Sequence, residues 1–117
     1  MIVGIGVDNV NIERFQAKLA GAPLLRERLF SPAERAQALR PVQLAARFAA
    51  KEALIKALGG GGEGFAFADI TVTKDALGAP RLELAGPIGV TAQGLTLHLS
   101  MTHEHPLATA FVVAERG

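Results

Sequence analysis

Apolar residues alternate with small or polar residues at the start of the chain, which is the pattern of a β-strand. We predict this strand over residues 2–7. Val3, Ile5 and Val7 share one face, and two glycines followed by Asp8 lie on the other. Because glycine has no side chain, this face is left without bulk up to the carboxylate of Asp8.

Helical periodicity follows this strand. Ile12, Phe15 and Leu19 are spaced for one face of a helix over residues 11–20. The segment Ser31-Pro32-Ala33-Glu34 then has a serine cap, a proline in the first helical position and an acid three residues after the cap, which together predict a capping box. A long helix is predicted over residues 42–58, opened by Pro41 and ended by glycine.

The second half of the chain returns to strand patterns. We predict strands over residues 69–74, 81–84, 95–101 and 107–114, with a turn at 77–80, a short helix over 86–92 and a connection at 102–106. The order of strand, helices and strands predicts an α+β fold with helices packed on one side of a mostly antiparallel sheet. At 117 residues, the chain is predicted to be a single domain, 1–117.

The long helix has no continuous polar face. One side collects small residues that suit close packing against another backbone, namely Ala45, Ala46, Ala49, Ala50, Ala53 and Ala57. Arg47 and Lys51 form one charged strip on the remaining surface, and Glu52 and Lys56 form another. Because an ordinary surface helix has one polar face, we expect some of these charges to line a pocket or an interface.

Composition excludes several classes of protein. The chain has no cysteine, so disulfides, thiolate nucleophiles and cysteine-based metal sites are excluded. Its aromatic residues are six Phe without Trp or Tyr, which argues against a base-stacking nucleic-acid surface. No apolar run has the roughly 18 residues of a membrane helix, and the start does not resemble a signal peptide. We expect a cytoplasmic protein with no membrane or nucleic-acid partner.

The net charge of +1 is unevenly distributed along the sequence. Residues 14–56 carry nine basic and three acidic side chains, a local net charge of +6. A basic segment in a nearly neutral protein indicates a localised anionic partner, although two solvated helix faces would give the same pattern.

Two carboxylates and a lysine suggest phosphate chemistry. Mg²⁺ prefers carboxylates, waters and substrate phosphates as ligands, and a lysine supplies a point charge to phosphoryl oxygens. Asp8, Glu52 and Lys56 are the candidates, with His103 in the polar segment at 100–105. The alternatives are a turn residue at Asp8, a surface pair between Glu52 and Lys56, and a structural histidine. The glycine run at 59–64 follows a helix instead of preceding one, so it is not a phosphate-binding loop.

Three ordered motifs resemble the holo-acyl-carrier-protein synthases, which are small 4′-phosphopantetheinyl transferases. The first two are Gly4-Ile5-Gly6-Val7-Asp8 with Ile12 and Arg14, and Arg47-Phe48-Ala49-Ala50-Lys51-Glu52-Ala53 with Lys56 and Ala57. The third is Ser100-Met101-Thr102-His103-Glu104. Phe30-Ser31 with Glu34 and Asp69-Ile70 extend the similarity along nearly the whole chain.

The resemblance implies an enzyme that moves 4′-phosphopantetheine from coenzyme A to a serine of an apo acyl carrier protein, a step of fatty acid biosynthesis. The other product is adenosine 3′,5′-bisphosphate. Asp8 and Glu52 match the residues that hold the Mg²⁺ cofactor against the diphosphate, and Lys56 matches the residue that contacts the phosphates; these three are the implied catalytic residues.

The resemblance also implies binding residues and an assembly. Arg47 and His103 match residues associated with the 3′-phosphate of coenzyme A, and Thr102 and Lys56 are assigned to the same substrate. The first basic helix of the family docks the acidic carrier, which here implicates Arg14, Lys18 and Arg26. Family members of this size form trimers with sites between subunits. The chain departs from the pattern in a short connection at 39–44 and in the glycine-rich 59–64 segment.

Two other functions remain open at this point. A non-catalytic module could bind an acidic protein or a nucleotide through the basic helices, and such binding would survive EDTA. A metal-dependent phosphohydrolase would release phosphate from coenzyme A without any carrier. No residue is identified by the sequence as the general base.

Overall fold

A computed structural model describes all residues of the chain, Met1–Gly117, and contains two antiparallel sheets. The larger sheet has the strand order β1-β5-β4, formed by Ile2–Asn11, Leu107–Arg116 and Leu95–Glu104. The smaller sheet pairs β2, Ile70–Lys74, with β3, Pro80–Leu84. The α+β class predicted from the sequence is confirmed.

Five helices lie between and beside the strands. They are α1 (Ile12–Gly21), α2 (Leu25–Leu29), α3 (Pro32–Arg35), α4 (Pro41–Ala57) and α5 (Gly86–Thr91), and a 3-10 turn covers Phe67–Asp69. The predicted capping box at Ser31 is confirmed, because its side chain accepts from the Glu34 amide while the Glu34 carboxylate accepts from the Ser31 amide. None of the helices is both long and apolar enough to cross a membrane.

Helix α4 packs directly on the backbone of strand β1. A Cβ atom added at Gly4 would lie 1.8 Å from the carbonyl oxygen of Ala57, and one added at Gly6 would lie 1.8 Å from that of Ala53. The small-residue side of α4 is buried in this contact and in the contact with β5. The predicted close approach to another backbone is therefore confirmed, and the backbone belongs to the same chain.

The opposite face of the larger sheet carries an exposed apolar patch on β1 and the middle of β5. Val3, Ile5 and Val7 of β1 are each about half exposed, at 46%, 57% and 52%. Phe111 of β5, which is paired with Val7 in the sheet, is 42% exposed. We call these four residues the outer apolar face. No helix of the chain covers it.

Several predicted boundaries are wrong. The first strand continues to Asn11, so Asp8 lies within β1, opposite Ala110, and not at the end of a strand. Strand β4 likewise continues to Glu104, so Thr102 and His103 belong to the sheet and not to a connecting segment. In both cases pairing with β5 supplies hydrogen bonds that extend the strand beyond the alternating residues from which it was predicted. Helix α2 was not predicted, because five residues carry too little periodicity.

Candidate active site

The crossing of α4 over β1 brings Asp8, Glu52 and Lys56 together. The Lys56 Nζ atom donates to the Asp8 carboxylate and to the Val7 carbonyl oxygen, both at 3.0 Å. Lys56 therefore forms its ion pair with a residue of the strand, and no ion pair joins it to Glu52. The interpretation of Glu52 and Lys56 as a simple surface pair along one helix is wrong.

Glu52 is partly buried beside a second negative charge. Burial raises the pKa of its carboxyl group, the Asp8 carboxylate raises that pKa further, and the Lys56 ammonium group opposes both effects. A cation placed near Asp8 and Glu52 would relieve this unfavourable charge. The side chains therefore fit a divalent metal.

Oxygen donors at this position suit Mg²⁺ in particular. No three histidine, cysteine or acidic side chains are placed together to hold a metal ion, so Asp8 and Glu52 are a pair without a third ligand of these types. Mg²⁺ is commonly held by one or two carboxylates, with waters and substrate phosphates completing its shell. Zinc sites, by contrast, usually need three or four protein ligands. Asp8 and Glu52 are the residues that would hold the metal.

A polar cleft opens beside Asp8, and we call it the Asp8 cleft. Asp8, Arg14 and Lys18 line it together with the stacked rings of Phe15 and Phe48, whose centroids are 4.8 Å apart. Arg14 is positioned by the start of α1, where the Asn11 side chain accepts from its amide. Two of the bases expected to dock a carrier thus lie next to a predicted metal ligand. Arg26, the third, is exposed on α2 and does not line this cleft.

A second cleft is basic, and we call it the Arg47 cleft. It is lined by Arg47 of α4 and by Thr102 and His103 of β4. Arg40 and Lys74 also line it, although the sequence analysis missed both. Arg40 is the N-cap residue of α4, and Lys74 is the last residue of β2. In the sequence, only their positive charge could have identified them. Four basic side chains around one cleft make it a candidate site for an anion.

The two charged strips predicted on α4 have different environments. Lys51 is completely buried and Arg47 is 5% exposed, whereas Lys56 remains accessible. The Nε atom of Arg47 has no hydrogen-bond partner and lies 3.8 Å from a carboxylate oxygen of Glu34. Burial lowers the pKa of Arg47, and the Glu34 charge opposes this change. The expectation that some charges of this helix line a pocket is confirmed for Arg47.

The predicted site residues therefore form two groups. Asp8, Glu52 and Lys56 are adjacent, while Arg47, Thr102 and His103 line a separate cleft. Arg47 and Glu52 are five residues apart on α4 and so point about 140° away from each other around the helix axis. Within one chain, the two groups therefore lie on different sides of α4.

Comparison with known proteins agrees with this fold and these motifs. Residues 4–111 match the family model of the 4′-phosphopantetheinyl transferase superfamily. A holo-[acyl-carrier-protein] synthase of Clavibacter sepedonicus is 52% identical over 118 residues, covering 98% of this chain and 97% of that protein.

Solved structures of such synthases share the fold over the whole chain. The enzyme of Neisseria meningitidis has a TM-score of 0.87 and 35% identity, covering 99% of this chain and 100% of that one. The enzyme of Bacillus anthracis, solved in complex with CoA (3′,5′-ADP), has a TM-score of 0.83 and 36% identity, covering 100% of this chain and 99% of that one.

Fold, motifs and sequence identity together define the class as a phosphopantetheinyl transferase. The chain belongs to the 4′-phosphopantetheinyl transferase superfamily and, within it, to the holo-[acyl-carrier-protein] synthases. It is accordingly an enzyme, a transferase.

Proposed function

We propose that this enzyme transfers 4′-phosphopantetheine from coenzyme A to a serine of an apo acyl carrier protein, with Mg²⁺ as cofactor. The observation that carries the proposal is the juxtaposition of Asp8, Glu52 and Lys56 where α4 crosses β1. The names of its relatives and the CoA (3′,5′-ADP) complex of the Bacillus anthracis enzyme support the substrates. The products are holo acyl carrier protein and adenosine 3′,5′-bisphosphate.

In this reaction the serine oxygen forms a bond to the phosphorus next to pantetheine, and the bond from that phosphorus to the bridging oxygen breaks. The bridging oxygen leaves with adenosine 3′,5′-bisphosphate, and the proton of the serine hydroxyl passes to solvent. Asp8 and Glu52 would hold the metal beside the diphosphate, and Lys56 would neutralise charge on its phosphoryl oxygens. Mg²⁺, when bound, supplies Lewis-acid stabilisation of the charge that develops on these oxygens.

We also propose that the active site is completed by a second copy of the chain in a homotrimer. The Asp8–Glu52–Lys56 group and the Arg47 cleft lie on different sides of α4. One coenzyme A molecule carries a diphosphate for the first group and a 3′-phosphate for the second. A second copy of the chain would bring one group of each kind to the same molecule. The outer apolar face supplies a surface for contact between subunits. In this arrangement, Arg47 and His103 of one subunit bind the nucleotide while Asp8 and Glu52 of its neighbour hold the metal.

The carrier protein docks on the basic side chains near the Asp8 cleft in this proposal. Arg14 and Lys18 line that cleft, so an acidic carrier bound there would bring its serine towards the predicted metal ligands. Arg26, which is exposed on α2, extends the positive surface outside the cleft. Complementary charge steers such encounters and weakens with added salt.

The transfer is tested by incubating an apo acyl carrier protein with coenzyme A, Mg²⁺ and the enzyme, and then measuring the carrier's intact mass. We expect a mass gain of one phosphopantetheine group, and no gain in EDTA, because the phosphates need the metal for charge neutralisation. Tight carrier binding without any mass gain, for several carriers, would instead favour a non-catalytic binding module. Phosphate release from coenzyme A without a carrier would favour a hydrolase.

The assembly is tested by placing a charge on the outer apolar face. Ile5→Asp should shift the mass measured by light scattering from about three times 12.2 kDa to that of one chain, because a carboxylate is costly to bury between subunits. Transfer activity should fall with the loss of the trimer. Leu77→Asp is the matched control, since Leu77 is 96% exposed in the β2–β3 turn. A monomeric unmodified enzyme with full activity would contradict the proposed assembly.

A further inference from the structure

A fully buried ion pair lies behind the Arg47 cleft. The Lys51 Nζ atom is 2.6 Å from a carboxylate oxygen of Glu34, and neither side chain is exposed to solvent. A buried charge pair of this kind usually contributes little net stability, since desolvation offsets most of the attraction. The resemblance to the family assigns no role to this pair, and neither residue lines a cleft.

The hydrogen-bonding capacity of Lys51 is fully used. Its three ammonium protons match three acceptors, which are Glu34, the Leu29 carbonyl oxygen at 2.7 Å and the Phe67 carbonyl oxygen at 3.2 Å. Lys51 therefore has no proton left for a substrate. Its charge acts only on the groups that surround it inside the protein.

Glu34 is likewise satisfied without Arg47. One carboxylate oxygen accepts from Lys51 and from the Ser31 amide at 3.0 Å, and the other accepts from the Val72 amide at 3.1 Å. Arg47 lies farther away, with its Nε atom at 3.8 Å and without a hydrogen-bond partner. The closest partner of the Glu34 charge is thus Lys51.

The charges of this cluster do not balance. Arg47 and Lys51 contribute two positive charges and Glu34 one negative charge, so the buried cluster has a net charge of +1. Because Lys51 is the nearer cation, the uncompensated positive charge lies on Arg47, in the wall of the Arg47 cleft. An anion in that cleft would complete the cluster.

We propose that Lys51 is a positioning residue that neutralises Glu34 and thereby keeps the Arg47 charge available for the 3′-phosphate of the substrate. This inference rests on the proposed function, in which Arg47 binds that phosphate. Without the Lys51 ammonium group, Glu34 becomes an unpaired buried carboxylate next to Arg47. The guanidinium group then pairs with Glu34 inside the protein, and the 3′-phosphate has to compete with this internal ion pair.

The test compares ligands with and without a 3′-phosphate in the intact enzyme. Lys51→Met should raise KM about tenfold or more for coenzyme A and leave KM for 3′-dephospho-coenzyme A unchanged, as expected for the loss of one charge-assisted contact. Binding of adenosine 3′,5′-bisphosphate and of AMP, measured by calorimetry, gives the same comparison without catalysis. Lys51→Met should abolish most of the preference for the bisphosphate.

A double variant separates this role from a merely structural one. Lys51→Met combined with Glu34→Gln removes both charges of the pair, so the preference for a 3′-phosphate should return to within about twofold of the unmodified enzyme. Glu34→Gln alone should retain that preference. Neither variant contains the buried unpaired carboxylate, so loss of the preference in either of them would overturn the inference even if Lys51→Met does not fold.

Three results would overturn the inference. The first is that Lys51→Met loses the same affinity for adenosine 3′,5′-bisphosphate as for AMP. The second is that the double variant folds but does not regain the preference for the bisphosphate. The third is that the unmodified enzyme binds the two nucleotides equally well. Failure of the proposed function has a different signature. In that case the carrier gains no mass, yet the unmodified enzyme still prefers the bisphosphate and Lys51→Met still loses that preference.

Discussion

Glu52→Gln should abolish Mg²⁺-dependent transfer of phosphopantetheine and leave the fold intact. The amide of glutamine has the size of the carboxylate but no negative charge, so the proposed metal site loses one of its two carboxylates. We expect activity to fall at least a thousandfold, the scale seen when a main electrostatic contribution to a transition state is removed. The intact mass of an apo carrier protein, followed over time with coenzyme A and Mg²⁺, gives the rate.

The same variant should not be destabilised. The pKa of Glu52 is raised in the folded protein by burial and by Asp8, so its ionised form is less favourable in the fold than in the unfolded chain. The stability contributed by this group therefore decreases as the pH rises through the raised pKa. A neutral glutamine avoids that cost at neutral pH. The thermal unfolding temperature of the variant should therefore be at least as high as that of the unmodified enzyme.

Glu83→Gln is the matched control for the loss of charge. Glu83 is exposed on β3 and takes part in no ion pair of the structure, so this variant should transfer phosphopantetheine at the unmodified rate. Full activity in Glu52→Gln would refute the assignment of this residue to the metal. A loss of activity in both variants would indicate a general effect of net charge instead.

Gly6→Ala should have the largest effect on stability. The added Cβ atom would lie 1.8 Å from the carbonyl oxygen of Ala53, a distance that no real contact permits. The obstacle is the backbone of a helix, which has no alternative rotamer, so β1 and α4 must separate. Overpacking of a core costs typically 1–3 kcal/mol, and we expect a loss of about 3 kcal/mol or more here. Urea denaturation monitored by circular dichroism measures it.

Gly21→Ala is the control for glycine replacement. Gly21 is the last residue of α1, its φ angle is not positive, and no atom lies within 4 Å of the added Cβ position. This variant should be as stable as the unmodified enzyme or up to about 1 kcal/mol more stable, because alanine loses less backbone entropy than glycine on folding. A Gly6→Ala variant of unchanged stability would mean that α4 does not pack against β1 as described.

Gly6→Ala should also reduce activity in the fraction that remains folded. The contact between β1 and α4 holds Asp8 beside Glu52 and Lys56, so separating the two elements moves one proposed metal ligand away from the other. Catalytic groups generally need to be held within about 0.5 Å of their productive geometry. The glycines of β1 therefore support the site as well as the core.

Elements with local signals were predictable from the amino-acid sequence alone. The capping box links Ser31 and Glu34 over three residues, the helical periodicity of α1 and α4 is complete within each segment, and period-two alternation marks the strands. The small-residue side of α4 and the glycine face of β1 were also identified from the sequence, because two elements can pack closely only where both carry small side chains or none. Asp8, Glu52 and Lys56 were found by their chemistry and their motifs.

The pairing and burial of the charged residues could be established only from the three-dimensional fold. Lys56 is paired with Asp8, 48 positions away, and Lys51 with Glu34, 17 positions away. Helical periodicity placed Lys51 and Arg47 on one strip but could not distinguish a buried lysine from an arginine in a cleft wall. That difference depends on which backbone carbonyl groups from other segments surround each side chain, and the free energy of burying a charge depends on those acceptors.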